Sequence, residues 1–180
     1  MTDQKTNITA FTDGGCRPNP GAGGYGGVII NTDTKERLGE LRGHVLEMTT
    51  NNRMELLAAI RAVKWFIETY PEGDRGRFIV STDSKYVSNG IELWIHDWKV
   101  NGWRTASKKP VKNVDLWKEL DALRAVCDVK WDWAKGHSDN PFNDEADRIA
   151  GEEAEKAAKI IGKGPQKARC IFPDDDGGAG

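Results

Sequence analysis

Apolar and polar positions alternate from Ile8 to Thr12 among β-favouring residues, which predicts a strand ending at Asp13. Gly14 to Gly21 carries glycine and proline and reads as a loop. A second strand is predicted over Tyr25 to Ile30, a turn over Asn31 to Lys35 and a third strand over Arg37 to Val45. Strands this closely spaced suggest an antiparallel meander. The period then changes. Leu56, Ile60, Val63 and Ile67 recur at turn spacing, so Asn52 to Tyr70 reads as a helix, stopped by Pro71 and Gly73. Phe78 to Val80 forms a short buried strand that ends at Asp83. Helical stretches follow over Ser84 to Asn89 and Ile91 to Trp98, then a basic segment runs to Asn113. Asp115 to Val126 is helical with Leu116, Leu120 and Leu123 on one side. Val129 to Trp133 alternates as a last strand. Asn143 to Ile161 is an Ala- and Glu-rich helix whose stripe is small: Ala146, Ile149, Ala150, Ala154 and Ala157. A meander followed by alternating helices and strands means an α/β fold with a mixed sheet.

The 180 residues suit one domain, placed at 1–161, and the Gly-, Pro- and Asp-rich tail from 162 to 180 is expected to be disordered. A formal net charge of −2 shows no global attraction to nucleic acid, so any such affinity must come from local basic clusters. Cys16, Cys127 and Cys170 are an odd set without a paired spacing, which argues against a disulfide framework or zinc site and for a reducing compartment. The polar N-terminus lacks a signal-peptide core, and no stretch is long enough to span a bilayer. The expectation is a cytoplasmic protein without membrane contact. With no large apolar stripe left over, a monomer is expected.

Three acids stand at the edges of apolar elements: Asp13 and Asp83 at strand ends, and Glu55 in the first turn of the long helix. If those strands are neighbours, Asp13 and Asp83 emerge side by side. Adjacent carboxylates repel and ionise poorly together unless cations neutralise them. Hard oxygen ligands suit Mg²⁺ or Mn²⁺ rather than zinc, and two such ions clamp a scissile phosphate in many nucleases. Each acid also fits a local role. Glu55 lies three residues after Asn52, as in a capping box, and Asp147 three after Asp144 near a helix N-terminus. Asp13 precedes Gly14-Gly15 and Asp83 precedes a helix, so either fits turn chemistry. Periodicity alone leaves these readings open.

The local sequence is more specific. Phe11-Thr12-Asp13-Gly14, Asn19-Pro20-Gly21, Thr50-Asn51-Asn52-Arg53-Met54-Glu55-Leu56, Ser81-Thr82-Asp83-Ser84 and Gly136-His137-Ser138 occur in this order. With Trp94 to Trp98, Gly102 to Thr105 and Lys108 to Asn113, they closely resemble type 1 ribonuclease H over roughly Ile8 to Ala158. The resemblance implies a five-stranded mixed sheet, part antiparallel meander and part parallel, flanked by helices. It implies a metal-dependent endonuclease that hydrolyses the RNA strand of an RNA–DNA hybrid with two Mg²⁺ (or Mn²⁺) ions, leaving 5′-phosphate and 3′-hydroxyl ends. Asp13, Glu55, Asp83 and Asp147 fall on its metal-ligand positions, and His137 on a loop histidine linked to proton transfer or product departure. Cys16, Asn19, Asn51 and Asn52 match positions lining the hybrid's minor groove, where 2′-hydroxyls distinguish RNA from DNA. Helix capping is the local alternative for the two asparagines. Thr50 matches a phosphate pocket on the DNA strand.

Lys99, Arg104, Lys108, Lys109 and Lys112 interleave with Trp98 and Trp103, downstream of Trp94. Cations near aromatic platforms suit backbone binding, and the resemblance makes this segment a substrate-binding handle. The tryptophans can anchor it while the lysines bind. Val100-Asn101 makes the handle less basic than in some bacterial relatives, and Lys85 stands where glutamine is often found; a lysine there either contacts phosphate or competes for charge with a metal ligand, and the sequence leaves both open. Gly21 to Gly26 satisfies a dinucleotide-loop pattern, but Gly27 to Ile30 continues as a strand rather than a helix, so this is a glycine-rich turn. Two other readings fit the fold. A hybrid-binding module that lost catalysis is disfavoured by the complete acidic set and His137. Another nuclease of the superfold, such as an integrase or junction resolvase, is disfavoured by the Thr50–Glu55 segment and the handle.

Overall fold

The computed structural model describes residues 5–135 and 139–163. His137, with Gly136 and Ser138, and the tail from 164 with Cys170 lie outside the described residues. Five strands form one sheet in the order β3-β2-β1-β4-β5. They are β1 (Thr6–Arg17), β2 (Ala22–Asn31), β3 (Arg37–His44), β4 (Arg75–Thr82) and β5 (Lys130–Trp133). The first three pair antiparallel, while β4 runs parallel to both β1 and β5. The mixed sheet is therefore a meander extended on one side by parallel strands.

The first strand is longer than its alternation predicts. Gly14 to Arg17 is not loop but ladder, paired through Gly14↔Tyr25 to Arg17↔Ala22, and the turn shrinks to residues 18–21. The glycines of β2 likewise belong to the strand rather than to a turn. A Cβ on Gly24 would lie 2.4 Å from the Ala154 nitrogen, and one on Gly26 would lie 2.7 Å from the Ala146 carbonyl oxygen. Bare backbone here lets the helix α5 (Pro141–Lys163) lie directly on the sheet. Its small stripe completes the fit: Ala146, Ile149, Ala150, Ala154 and Ala157 are all buried. The helix extends past the expected ends, starting where the Asn140 side chain accepts from the Phe142 N–H at 2.9 Å and carrying Gly162 within it.

The opposite face carries α1 (Asn51–Thr69) and α4 (Val114–Val126). Strand alternation sorts the two cores: Ile8, Ala10 and Ile29 join Leu56, Ile60, Val63 and Leu120, while Phe11, Val28 and Ile30 meet Ile149. Phe66, rather than the periodic Ile67, is the fully buried ring at the end of α1, stacked on Phe78 with centroids 4.2 Å apart. The two helical stretches after Asp83 are a continuous run: α2 (Lys85–Asn89), a π-helical turn (Gly90–Trp94) and α3 (Ile95–Val100). Trp98 and Trp117 are buried where this run meets α4, with ring centroids 5.3 Å apart.

Between β3 and α5 the carboxylate of Glu153 is buried yet charged. Burial disfavours the anion, but bonds from His44 Nδ1 (2.8 Å), Lys156 Nζ (2.7 Å) and Arg42 (3.1 Å) more than offset that and hold its pKa at about 2. A depressed carboxylate contributes stability above its unfolded pKa and loses it as pH falls through the folded value. Unfolding free energy should therefore drop by about 2–3 kcal/mol from this group alone as pH falls from 4.5 to about 2. Urea titrations across that range should show a flatter acid limb in Glu153→Gln than in the parent.

Candidate active site

The parallel register of β1 and β4 sets Thr12 beside Thr82, so the next residues, Asp13 and Asp83, leave the sheet together. At Asp83 the chain is turned by a local frame. The Ser84 N–H donates to Thr82 Oγ1 at 3.1 Å, and the Ser84 hydroxyl caps α2 by accepting from the Val87 N–H. The Trp133 indole donates to the Asp83 carbonyl at 3.1 Å, tying the end of β5 to the same bend.

Glu55 arrives from α1. The helix is capped by Thr50, whose hydroxyl accepts from the Arg53 N–H at 3.3 Å, so Asn52 and Glu55 do not form a capping box. Starting at Asn51, the helix carries Glu55 just beyond its first turn and over the sheet edge. Gly14 allows the close approach, because a Cβ there would lie 2.3 Å from the Met54 carbonyl carbon. Asp147 comes from α5 and lines the same cleft as Asp13, near enough to add to the rise of its pKa.

Oxygens of Asp13, Glu55 and Asp83 lie within 4.8 Å of one another. Burial, and then the charge of Asp83, raise the Asp13 pKa to about 7. Burial, followed by the charges of Asp13 and Asp83, pushes Glu55 well above the ordinary carboxylate range. Glu55 Oε2 is buried with no hydrogen-bond partner among the described residues. An orphaned carboxylate oxygen facing two further carboxylates is the environment a hard divalent cation stabilises. The donor set thus fits Mg²⁺ or Mn²⁺.

The acids open into a cleft of about 490 Å³ that is also lined by Asn51, Asn52, Cys16, Lys85 and Asp147. A smaller recess brings Lys135, Asn143 and Asp144 against Asp13, Asp83 and Asp147. Asn51 is not the helix cap. Its Oδ1 accepts from the Cys16 N–H at 2.8 Å, and its own N–H donates to Asn19 Oδ1 at 3.1 Å. Four of the residues singled out from the sequence thus share one rim, with Asn52 beside Asn51 and the cap Thr50 buried behind them.

The aromatic part of the handle is largely structural. Trp98 is 5 % exposed and belongs to the core, and Trp94 packs between Tyr86 and Trp98, with centroids 5.9 and 5.7 Å away. Trp103 is half-buried with Lys118 Nζ 5.8 Å over its ring, and Lys99 pairs with Asp121 at 3.1 Å. Lys108 and Lys109 are exposed at the tip. Arg53 fixes the handle's root, donating to both carboxylate oxygens of Asp115 (3.0 and 2.9 Å) and to Asn113. Sequence reasoning did not single out Arg53 or Arg17 individually. Arg17 lines the cleft, and its only sequence signal was a basic residue in what read as a loop.

The family model for RNase H matches residues 5–155. The chain belongs to the ribonuclease H family. Ribonuclease H of Treponema denticola is 47% identical over 158 residues, covering 83% of this chain and 98% of that protein. The Paracoccus denitrificans enzyme of the same name is 50% identical over 161 residues, covering 86% and 98%. In fold, the chain is similar to LC11-RNase H1, solved in complex with RNA/DNA hybrid: TM-score 0.66 at 22% identity, covering 83% of this chain and 98% of that one. Among the described residues no helix is long and apolar enough to cross a membrane.

Proposed function

We propose that this ribonuclease H family member is an endonuclease that hydrolyses the RNA strand of RNA–DNA hybrids, leaving 5′-phosphate and 3′-hydroxyl ends. The observation that carries the reading is the trio Asp13, Glu55 and Asp83 lining an open cleft, with one buried Glu55 oxygen unpartnered among the described residues. Asp147 completes four acidic side chains, enough negative charge for two divalent cations, Mg²⁺ or alternatively Mn²⁺. When bound there, such ions supply Lewis-acid stabilisation of phosphate charge and lower the pKa of a nucleophilic water.

The chain's own residues supply position. Asp13 and Asp83 are fixed by adjacent parallel strands, and Glu55 and Asp147 by helices on opposite faces, so the ligand set is held by rigid elements. The Asn51, Cys16 and Asn19 network holds amide and main-chain groups at the rim, where they can bond 2′-hydroxyls and so select RNA. Lys108 and Lys109 extend from an aromatic root towards the backbone of the bound duplex. His137 keeps the proton-transfer or product-departure role that the family motif implies.

The test uses an end-labelled RNA–DNA hybrid, duplex DNA and duplex RNA, each in Mg²⁺, in Mn²⁺ and in EDTA. The expected result is cutting of the hybrid's RNA strand alone, lost in EDTA and in Asp83→Asn. A folded protein that leaves the hybrid intact in both metals would overturn the assignment.

A further inference from the structure

Two cations line the cleft without taking part in any ion pair among the described residues: Arg17 and Lys85. They flank the acids from opposite sides. Arg17 ends β1 with its guanidinium against Gly151 of α5, one of its nitrogens being 3.6 Å from where a Cβ would stand. Gly151 lies one helical turn beyond Asp147, on the same face of the helix. Lys85 opens α2, two residues after Asp83, and its Nζ stands 5.3 Å from the ring centroid of Trp133, towards the β5 edge. That ring is itself fixed by its bond to the Asp83 carbonyl. The ammonium is thus held at the rim over an aromatic face.

An exposed cation is usually just solvated. Here, however, both charges border the same cleft, each is seated against a rigid surface, and the floor between them is acidic. A cleft with four acids repels a polyanion, and ions bound to the acids act on the phosphate between them. The phosphates on either side need their own counter-charges. Resting on the nuclease reading above, we infer that Arg17 and Lys85 are phosphate contacts that bind and position the substrate. They grip the RNA-strand phosphates that flank the scissile one, Arg17 on the α5 side and Lys85 on the β5 side. Arg17 offers a planar fork for two phosphate oxygens, Lys85 a point charge oriented by Trp133. Lys85 therefore binds substrate rather than competing for the carboxylates' charge.

The experiment is steady-state cleavage of a short RNA–DNA hybrid in Mg²⁺ over a range of KCl, with Arg17→Gln, Lys85→Gln, the double variant and Lys85→Arg. Arg61→Gln and Lys159→Gln remove exposed charges elsewhere on the surface and serve as controls. Each cleft variant should raise KM about 3- to 10-fold and lower the slope of log(kcat/KM) against log[salt] by about one. The two effects should add in the double variant, Lys85→Arg should restore the parental slope, and the controls should match the parent. Unchanged KM and slope in an active double variant would overturn the inference, as would a loss confined to kcat, which would place the cations in the metal site. A parent protein that does not cut hybrid at all would instead mark failure of the nuclease reading.

Discussion

Asp13→Asn is expected to abolish hybrid cleavage while making the metal-free protein more stable. On the proposed two-metal reading, loss of Asp13 as a ligand removes several kcal/mol of transition-state stabilisation, a rate decrease of at least about 10³-fold. The stability effect has the opposite sign and follows from the same crowding. Asp13 titrates at about 7, well above its ordinary 3.8, because of burial and the charge of Asp83. A carboxyl raised in the folded state gives stability that is complete below the unfolded pKa and is lost as pH rises through the folded value. Without metal, the parent should therefore weaken between pH 3.8 and about 7. Asn at this position cannot ionise, so the variant should be about 1–3 kcal/mol more stable than the parent at pH 8 and close to it at pH 4. Urea unfolding in EDTA at the two pH values measures this. Adding Mg²⁺ should raise the parent's midpoint far more than the variant's. A variant less stable than the parent at pH 8 would show that Asp13 has a structural role beyond its charge.

Strong, local periodicity is legible in the sequence. The small stripe of α5 was readable residue by residue, because a helix on bare glycine backbone admits nothing larger. The third strand, the α4 span and the order of elements were also readable. What could not be read depends on partners distant in sequence. Gly14 to Arg17 looks like a loop in isolation and becomes strand only because β2 offers ten paired positions along its length. The cap of α1 fell to Thr50, one residue before the two asparagines that local preference favours, and this freed Asn51 to bind Cys16. Trp98 reads as an aromatic platform among lysines, yet Trp94 and Trp117 pack against it and it is buried.

The site was legible in a different way. Strand ends marked Asp13 and Asp83, but nothing in the pattern of α5 separated Asp147 from its acidic neighbours; the family motif did that. The geometry adds the reason. Asp147 stands on the same helix face as Gly151, one turn away, where α5 passes the end of β1. Arg17 was hidden because its role depends on that crossing, which no local pattern encodes.

Gly14→Ala should damage the fold and the site at once. The substituted Cβ would fall 2.3 Å from the Met54 carbonyl carbon, 2.4 Å from its oxygen and 2.6 Å from the Glu55 nitrogen. All three are helix backbone, which cannot step aside like a side-chain tip. Either β1 leaves its ladder with β2 or α1 withdraws from the sheet, and overpacking of this severity costs about 2–4 kcal/mol. Withdrawal of α1 carries Glu55 away from Asp13, and a misplacement of roughly 1 Å costs about 10²-fold in rate. Gly73→Ala is the matched control, since a Cβ there meets nothing within 4 Å. The expected pattern is a lower urea midpoint and a hundredfold smaller kcat for Gly14→Ala, with Gly73→Ala equal to the parent in both. Metal affinity read by Mg²⁺-dependent thermal shift should fall with kcat, because the same displacement opens the carboxylate trio. If Gly14→Ala kept its kcat while losing stability, the contact would hold α1 on the sheet without setting the position of Glu55.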